Sequence, residues 1–389
     1  MTGMAVATPI IGIVAGEASG DLLGAHLIQT LHEHLPQARF VGIGGPRMQA
    51  AGMQILFPME KLAVRGYVEV LRHYFEIVGI RRRITEHFLR EPPACFIGVD
   101  APDFNLDLEL KLKSAGIPTV HYVSPSIWAW RGRRIHKIKR AVTKMLTLFP
   151  FEARLYEEAR VPVAYVGHPL ADLLGDFPGV QAARMQLHLP AAARVVALLP
   201  GSRVSELEQM ADLFVGTAIA IAAAVPDVLF LAPLVSRETR ELFEAALYRR
   251  GVPTLNVTIL FGHAHHAMAA ADVVLVASGT ATLEAALLKR PMVITYKMPR
   301  ISWWIMKNRG YQPYVGLPNI LAGEFVVPEF LQDEATPDNL AQAVVKLLSD
   351  ATIRSRLETR FSSMLGELRQ NTAQKVAAAL LPMLSGGTE

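Results

Sequence analysis

The sequence predicts an α/β protein with two doubly wound, parallel-sheet domains that face a cleft, followed by a C-terminal helical tail. Short apolar strands alternate with helical patterns through the first half, and the alternation restarts at Arg194. The strands are nearly continuous apolar runs, which is typical of a parallel sheet covered by helices on both faces. The length of 389 residues fits two domains of roughly 100–200 residues each.

The predicted strands fall into two series. The strands of the two series are, in chain order, Ile10–Ala15, Arg39–Ile43, Cys95–Val99, Thr119–Val123, Lys144–Leu148 and Val163–Val166, then Val195–Leu199, Val228–Leu231, Val257–Leu260, Val273–Val276 and Met292–Thr295. A helix is expected over Leu22–Leu35, and the chain from Pro337 to Leu384 reads as helical throughout. We therefore predict an N-terminal domain over residues 1–172, a linker over 173–193, a C-terminal domain over 194–345 and a helical tail over 346–389.

Composition limits the class of protein. The chain is 51% hydrophobic and 19% charged, and 39 Lys and Arg residues against 35 Asp and Glu give a net charge of +4. The apolar content supplies packed cores and excludes a disordered chain. The longest apolar run, Leu213–Val225, is well short of the about 20 residues that a spanning helix needs, which excludes a polytopic membrane protein. A single cysteine, Cys95, and no visible signal peptide predict a cytoplasmic protein.

The loop after the first strand, Gly16–Asp21, is the first candidate site. Ligands of open α/β sheets bind at the carboxyl ends of strands. Two glycines permit a tight turn and a close approach of the backbone to a ligand. The loop matches neither the dinucleotide-binding pattern nor the P-loop pattern. A simpler interpretation is that Ser19 or Asp21 caps the following helix.

Asp100 follows the buried run Cys95–Val99. Burying a carboxylate at this position costs free energy unless it is paired with another group or serves a function. At a strand end lining a cleft, it could act as a general base. Asp103 and Asn105 are more simply explained as caps of the next helix.

The second half offers two loops suited to phosphate. An arginine beside a Gly-Ser turn presents a planar cation together with backbone donors. Small hydroxyl residues and glycine at a helix start form an anion site from free amides. A nucleotide diphosphate is the ligand that fits both loops, and Glu284, one turn further, could bind sugar hydroxyls or complement the helix dipole. The candidate residues are Gly201, Ser202, Arg203, Ser278, Gly279, Thr280 and Glu284, whereas Asn319 by itself reads as a turn residue.

Metal sites are poorly supported, because the chain has no Asp-x-Asp motif. The histidines His263, His265 and His266 have no acidic or thiol partner near in sequence. The better interpretation is that they belong to a loop near the nucleobase of the ligand. His121 reads as a core histidine.

The segment Gly66–Ile80 is more apolar around its circumference than a core-facing helix requires. The arginines of Arg81–Arg83 follow it directly, and this combination fits interfacial binding to anionic lipid. A helix sandwiched between two elements is the alternative. The predicted membrane contacts are Val70, Leu71, Tyr74, Phe75, Arg81 and Arg82.

A second basic segment, Arg131–Arg140, follows Trp128 and Trp130. Cations beside aromatic residues fit either nucleic acid or phosphorylated lipid headgroups. The modest net charge and the lack of a known binding motif argue against nucleic acid. The pair Trp303–Trp304 could be interfacial, substrate-facing or core.

Nine motifs occur in one order along the chain, namely VAGEASGD, GIGGPRM, IGVDAPDFN, HYVSPSIWAWR, FPFE, VGHPLAD, LLPGSR, ASGTATLE and LPNILAG. Together they closely resemble the lipid-A-disaccharide synthases, inverting glycosyltransferases with two Rossmann-like domains of the GT-B type. The resemblance covers nearly the whole chain. VAGEASGD and VSPSIWAWR are specific to that family, whereas LPGSR and SGT-x3-E are shared more widely.

The resemblance implies the transfer of 2,3-diacylglucosamine from its UDP derivative to the 6-hydroxyl of 2,3-diacylglucosamine 1-phosphate. The products are a β-1,6 disaccharide 1-phosphate and UDP, formed by direct displacement without metal or cofactor. It implies Asp100 as the base with Glu17 as its catalytic neighbour, and an acceptor side lined by Gly16, Ser19 and Gly20. Arg203 and the Ser278–Thr280 helix start would hold the diphosphate, with Glu284 on the ribose and Asn319 near the nucleotide.

The resemblance also implies where the protein acts. It predicts a peripheral enzyme on the cytoplasmic face of the inner membrane, bound to an anionic surface, with a tail that packs back on the N-terminal domain. The sequence leaves undecided whether the protein forms a homodimer, and it leaves two other functions possible. One is another UDP-sugar enzyme of the same fold, such as a 2-epimerase or a transferase with non-lipid acceptors. The other is a non-catalytic lipid-binding or nucleic-acid-binding protein.

Overall fold

A computed structural model describes residues 9–62, 67–129, 132–251, 255–299, 303 and 313–384, with the backbone alone over 67–73. The chain forms two compact units. Unit 1 contains Met1–Pro169 and Leu368–Glu389, and unit 2 contains Leu170–Glu367. Unit 2 is therefore inserted in the chain of unit 1.

Unit 1 is built on a seven-stranded sheet with the order β3-β2-β1-β4-β5-β6-β7. Every strand pair is parallel. The strands are β1 Ile10–Ala15, β2 Arg39–Gly44, β3 Gln54–Pro58, β4 Cys95–Val99, β5 Thr119–Tyr122, β6 Lys144–Thr147 and β7 Val163–Tyr165. All carboxyl ends therefore lie at one edge of the sheet, where the candidate loops are found.

Helices cover both faces of this sheet. They are α1 Ala18–His34, α2 Pro46–Ala50, α3 Tyr67–Arg90, α4 Pro102–Ser114, α5 Ile135–Ala141, α6 Pro150–Glu158 and, after unit 2, α16 Thr372–Leu384. On one face, residues of α1 and α16 pack with alternate residues of β1 and β4. On the other face, α3 and α4 pack against Val14, Ile43 and Phe96. Burial on both faces explains why the strands are apolar at every position.

Unit 2 contains a six-stranded parallel sheet with the order β10-β9-β8-β11-β12-β13. Its strands are β8 Val195–Leu199, β9 Leu229–Leu234, β10 Val257–Phe261, β11 Val273–Ala277, β12 Met292–Tyr296 and β13 Glu329–Leu331. Its helices are α7 Pro169–Leu174, α8 Val180–Gln186, α9 Val204–Ala224, α10 Arg237–Arg249, α11 Ala264–Ala270, α12 Thr280–Leu287, α13 Leu317–Ala322, α14 Pro337–Ser349 and α15 Ala351–Leu368.

Helix α9 is the one described helix that is long and apolar enough to cross a membrane by length and composition. In the structure it packs against α10 and α14. Its fully buried side chains include Leu207, Met210, Phe214 and Ile221. These contacts are those of a core helix, and a core helix passes the same composition test.

The predicted α/β architecture and all eleven predicted strands are confirmed, to within three residues at their ends. Two edge strands, β3 and β13, were not predicted. Only three residues of β13 pair with β12, and β3 carries exposed or half-buried side chains. Neither strand therefore has the continuous apolar run of a central strand. Helix α3 also continues through the arginines to Arg90.

The predicted linker over 173–193 is wrong, because α8 is a packed part of unit 2. Arg184 on α8 is buried and donates to the carbonyl oxygens of Ala270 and Ala191. It also forms an ion pair with Asp272 at 2.9 Å. Pro178 and Gly179 lie in the connection between α7 and α8, and Pro190 lies between α8 and β8.

The predicted tail over 346–389 does not act as one piece. Helix α15 belongs to unit 2 up to Glu367, whereas α16 belongs to unit 1. The side chains of Val376, Ala377 and Leu380 are fully buried in the unit 1 core. A helical pattern does not by itself indicate which sheet a helix covers.

Candidate active site

Asp100 lies at the carboxyl end of β4, beside the glycine loop that follows β1. Ala15 and Val99 are opposite each other in the parallel ladder, so the loops that follow them are neighbours. A Cβ added at Gly16 would lie 3.0 Å from the Ala101 Cβ. The two loops are therefore in close contact, and any side chain at Gly16 would crowd Ala101.

The backbone at Asp100 and Ala101 is strained. Their φ angles are 51° and 44°, in the left-handed region that residues other than glycine rarely adopt. The amide of Asn105 stabilises this turn by donating to the carbonyl oxygens of Asp100 at 2.8 Å and Val14 at 3.2 Å. Such strain is typical of functional sites, where the surrounding structure holds a side chain in a required position.

The proposed capping roles of Asp103 and Asn105 are wrong. Ala101 occupies the N-cap of α4 without a side-chain cap. Asn105 is fully buried beneath the loop, and Asp103 pairs with Arg134.

Burial raises the pKa of the Asp100 carboxyl. The charge of His121 opposes this shift, Glu17 adds to it, and the amide of Ala101 opposes it. A carboxylate with a raised pKa is a stronger base than one in water, and this property suits proton abstraction. The structure therefore brings Asp100 and Glu17 into electrostatic contact, as expected for residues of one site.

In the rest of the glycine loop, Ser19 does not cap α1, which the simpler interpretation had predicted. Glu17 occupies the N-cap position of α1 and makes no side-chain cap, whereas Ser19 is exposed. Gly20 is buried, and a Cβ there would lie 3.2 Å from the Ala15 Cβ.

Asp21 was expected to cap α1 if Ser19 did not, and the structure contradicts this. Its buried carboxylate accepts from the backbone amides of Gly45, Arg47 and Met48, at 2.9–3.1 Å. Asp21 therefore caps α2 and ties the GIGGPRM segment to the glycine loop.

The loop after β8 supplies a cation but fewer amides than expected. The Glu206 carboxylate accepts from the amides of Ser202 at 2.8 Å and Arg203 at 3.2 Å. A Cβ at Gly201 would lie 2.7 Å from the Glu206 Cβ, so glycine permits this fold-back. The predicted anion donors Ser202 N–H and Arg203 N–H are thus already used. The Arg203 guanidinium is 59% exposed and pairs with the same Glu206 carboxylate at 3.4 Å, so a ligand would have to share or displace this ion pair.

The loop after β11 opens α12, with Gly279 at the N-cap. Gly279 and Thr280 are exposed, and a Cβ at Gly279 would meet nothing within 4 Å. The Ser278 hydroxyl donates to the Val315 carbonyl at 3.1 Å. The helix start therefore presents backbone amides at an open surface, the arrangement that binds anions.

Glu284 has a partner that was not expected from the sequence. The His265 Nε2 lies 3.1 Å from its carboxylate, and both side chains are partly exposed. The Phe177 ring contacts the rings of His265 and His266. The histidine cluster therefore has an acidic partner that is distant in sequence, and it lies beside Glu284.

Asn319 has a structural role, and its predicted place near the nucleotide stays a prediction. It is fully buried. Its amide oxygen accepts from the backbone of Val326 and Val327, and its amide nitrogen donates to Val327 and Glu329. Glu329 in turn accepts from the amides of Val315 and Gly316 at 2.9 and 2.8 Å. Since the Ser278 hydroxyl also donates to the Val315 carbonyl, this network supports the loop after β11.

The segment predicted to bind a membrane is divided between surface and core. Tyr74 and Phe75 are 53% and 84% exposed, whereas Ile80, Ile84 and Phe88 are buried against the sheet. Val70 and Leu71 lie outside the described side chains.

The predicted lipid contact of Arg81 is wrong. It is largely buried and pairs with Asp107 at 2.8 Å, which ties α3 to α4. Arg82 is 79% exposed and pairs with Glu86 one turn away.

The basic segment after Trp128 is partly neutralised. Lys137 also pairs with Asp107, at 2.6 Å, and Arg134 pairs with Asp103. These ion pairs weaken the nucleic-acid interpretation. Trp130, Arg131 and Trp304 lie outside the described residues, and the Trp303 side chain is half-buried.

One buried acid was missed in the sequence. Glu152, in the FPFE motif, accepts from the Phe149 amide at 3.1 Å and the Trp128 indole at 3.2 Å. Burial raises its pKa to about 7. An acid at the third position of a helix that begins with proline is a capping signal, and it could have been used to find Glu152.

Comparisons with known proteins agree on one family. The model of the family described as lipid-A-disaccharide synthetase matches residues 11–381. The lipid-A-disaccharide synthase of Methylobacillus flagellatus is 58% identical over 376 residues, covering 97% of this chain and 100% of that protein.

Solved structures share the fold at low identity. The glycotransferase of kitacinnamycin is 17% identical with a TM-score of 0.64, covering 97% of this chain and 99% of that one. A putative UDP-N-acetylglucosamine 2-epimerase from Listeria monocytogenes is 12% identical with a TM-score of 0.67, and 98% of each chain is covered. Since one fold carries both activities, the fold alone does not select between them.

Proposed function

The chain belongs to the lipid-A-disaccharide synthetase family. From this premise we propose which of its residues act as the base, which bind the acceptor and which bind the donor of a hexosyltransferase. The enzyme takes a UDP-sugar donor and a lipid acceptor. The donor is UDP-2,3-diacylglucosamine and the acceptor is 2,3-diacylglucosamine 1-phosphate, whose 6-hydroxyl attacks the anomeric carbon. UDP leaves from the opposite face, and the configuration inverts.

Asp100 is the general base in this proposal. It removes the proton of the acceptor 6-hydroxyl as the new glycosidic bond forms. Its raised pKa makes it a stronger base than an exposed aspartate. Glu17 shares the site and, with Gly16, Ser19 and Gly20, lines the acceptor side. The observation that carries this assignment is a buried carboxylate on a strained turn at the end of a central strand.

Unit 2 binds the donor in this proposal. Arg203 contacts the diphosphate, and the amides at Ser278–Thr280 receive the other phosphate oxygens. Negative charge builds on the UDP leaving group as the sugar departs, so these groups stabilise the transition state more than the ground state. Glu284 binds the ribose hydroxyls, and His265 orients its carboxylate.

The Asp100→Asn variant tests the base. Turnover of an acylated UDP-glucosamine donor with a lipid acceptor should fall by about 10²–10⁴-fold, while UDP binding, measured by calorimetry, should stay unchanged. The matched control is Asp103→Asn in the first turn of α4, three residues further on. Its carboxylate is 77% exposed, and this variant should keep nearly full activity. Full activity in Asp100→Asn would contradict the assignment.

Membrane binding is the second part of the proposal. Tyr74 and Phe75 form an exposed aromatic pair with ring centroids 5.8 Å apart, on a helix whose other half is held in the core. An exposed aromatic pair next to Arg82 suits the interface of an anionic bilayer. The proposed location is thus the cytoplasmic face of the inner membrane, where the lipid substrates would reach unit 1.

Phe75→Glu should lower binding to anionic liposomes by about tenfold in a flotation assay, because a charge replaces an inserted ring. Tyr248, on unit 2, is 89% exposed, so Tyr248→Glu is the matched control. Equal binding by both variants and the wild type would show that α3 does not contact lipid.

A further inference from the structure

The GIGGPRM motif ends β2 and forms α2, and it carries an exposed arginine, Arg47. In the part of the chain that the structure describes, the Arg47 guanidinium has no ion pair and no hydrogen bond. Other cations of unit 1 are neutralised by carboxylates: Lys61 pairs with Glu76, Arg81 and Lys137 with Asp107, and Arg134 with Asp103. Arg47 is therefore a cation available to an anionic ligand.

The backbone of Arg47 is held in place by the buried carboxylate of Asp21, which is 2% exposed. That carboxylate accepts from the amides of Gly45 at 2.9 Å, Arg47 at 3.1 Å and Met48 at 3.0 Å. A Cβ at Gly45 would lie 2.7 Å from Asp21 Oδ2, so glycine is what lets the carboxylate approach. Because these amides are already used, the side chain of Arg47 is the donor that α2 offers. A held backbone also lowers the entropy cost of binding a ligand.

The same aspartate ties α2 to the glycine loop. The Asp21 amide donates to the Glu17 carbonyl at 2.9 Å. The strands β2, β1 and β4 are consecutive in the sheet and parallel. Since neighbouring strands lie about 4.8 Å apart, the carboxyl ends of β2 and β4 are about 10 Å apart. Arg47 therefore follows the strand on one side of the glycine loop, and Asp100 follows the strand on the other side.

The acceptor of the proposed function carries two groups that this edge must recognise. One is the 6-hydroxyl that reacts, and the other is the 1-phosphate. Both are attached at carbons that flank the ring oxygen of a single hexose, so a site for the phosphate must lie within one sugar of the base. A guanidinium binds phosphate through two parallel hydrogen bonds, which fix orientation as well as charge.

We propose that Arg47 binds the 1-phosphate of the acceptor, with the sugar ring over the glycine loop and the 6-hydroxyl at Asp100. The inference rests on the proposed function, from which it takes the acceptor and the base. Arg47 thus selects a phosphorylated acceptor and determines which hydroxyl meets the base. It takes no part in the proton transfer.

The test compares two acceptors, 2,3-diacylglucosamine 1-phosphate and the same lipid without its phosphate. Both are presented in neutral detergent micelles, which exclude attraction to an anionic surface. Arg47→Ala should raise KM for the phosphorylated acceptor by about 10–100-fold, the loss expected for hydrogen bonds to a charged group. Its kcat at saturation should stay close to the wild-type value, and its kcat/KM for the unphosphorylated acceptor should be unchanged. Arg47→Lys should keep part of the preference, because it retains the charge without the planar fork.

Two further variants locate the effect. Arg39→Ala is the matched control, because Arg39 is an exposed arginine at the start of β2, on the opposite edge of the same sheet. It should change neither acceptor. Arg133 is the alternative cation, since it is exposed and follows β5, on the far side of β4 from the glycine loop.

Three results overturn the proposal. They are an unchanged preference in Arg47→Ala, equal losses for the two acceptors, and a lost preference in Arg133→Ala but not in Arg47→Ala. Because the Arg47 side chain is exposed, the thermal midpoint and the UDP affinity of Arg47→Ala should equal those of the wild type. If the wild type transfers sugar to neither acceptor, the proposed function is at fault. If the wild type is active, Asp100→Asn is inactive and Arg47→Ala behaves as the wild type, only the present inference fails.

Discussion

The two units place opposite chemistry on equivalent strands. In unit 1 the central strand β1 is followed by a glycine loop, and its neighbour β4 ends in the buried carboxylate of Asp100. In unit 2 the corresponding strand β8 is followed by the exposed cation of Arg203, and its neighbour β11 ends in the open helix start at Gly279. Equivalent strand ends of the two sheets therefore present different groups, a buried carboxylate in unit 1 and an arginine with an open helix start in unit 2.

The two sites also differ in the contacts that hold their loops in place. Asp100 lies on a turn with left-handed backbone angles, held by the hydrogen bond from the Asn105 amide. The loop after β11 in unit 2 is supported by the hydrogen-bonded network of Asn319 and Glu329. Substitutions at Asp100 should therefore change kcat and its pH dependence, whereas substitutions in unit 2 should change the binding of UDP.

Removing the exposed cation is expected to have the largest effect on unit 2. Arg203→Ala should lower kcat/KM by about 10²-fold, because in the proposed function the leaving diphosphate loses the positive charge of this side chain. UDP affinity, measured by calorimetry, should fall as well, in contrast to Asp100→Asn.

The matched control for Arg203 is Arg237→Ala. Arg237 is equally part of unit 2, is 86% exposed and pairs with Glu241 one turn away. Similar losses in both variants would mean that general charge, rather than the loop after β8, attracts UDP.

A smaller effect is expected from a substitution of Glu329, which supports the loop after β11. Glu329→Gln keeps the side-chain shape but cannot accept from Val315, Gly316 and Asn319 as the carboxylate does. The loss should be about 1–3 kcal/mol of stability and roughly tenfold in UDP affinity, with the acid limb of kcat/KM unmoved. A moved limb would contradict the separation of roles between the units.

The smallest effect concerns the stability of unit 1 and its dependence on pH. Burial raises the pKa of Glu152 from 4.5 to about 7, so the folded state binds a proton more tightly than the unfolded chain. The stability contribution is fully present below pH 4.5 and is lost as the pH rises through about 7. Glu152→Gln should remove this dependence.

The measurement for Glu152 is the thermal midpoint between pH 5 and pH 8. The wild type should lose more stability over this interval than the variant, by at most about 3 kcal/mol. Equal slopes in the two proteins would show that Glu152 does not titrate in this range.

The sequence predicted the central strands and the loops at their carboxyl ends, because continuous apolar runs and glycine turns are local signals. It identified Asp100 as the candidate base for the same reason, since a carboxylate directly after a buried strand is conspicuous. It could not show that Glu206 occupies the amides of Ser202 and Arg203, because a side chain that folds back over a turn leaves no periodic pattern.

Long-range pairs were the other source of error. Asn319 looked like a turn residue, yet it binds Val326, Val327 and Glu329. His265 seemed to lack an acid until the fold placed it beside Glu284. Such partners are set by the packing of separate elements, and no spacing rule in a single sequence identifies them.

The position of α16 has a consequence for how the protein is made. Val376, Ala377 and Leu380 complete the same core as Leu27 and Leu31, although unit 2 is translated between them. While the ribosome synthesises unit 2, the apolar face of α1 has no cover from α16. Because exposed apolar surface makes folding intermediates prone to aggregation, this face of α1 is a site of risk until α16 has been synthesised.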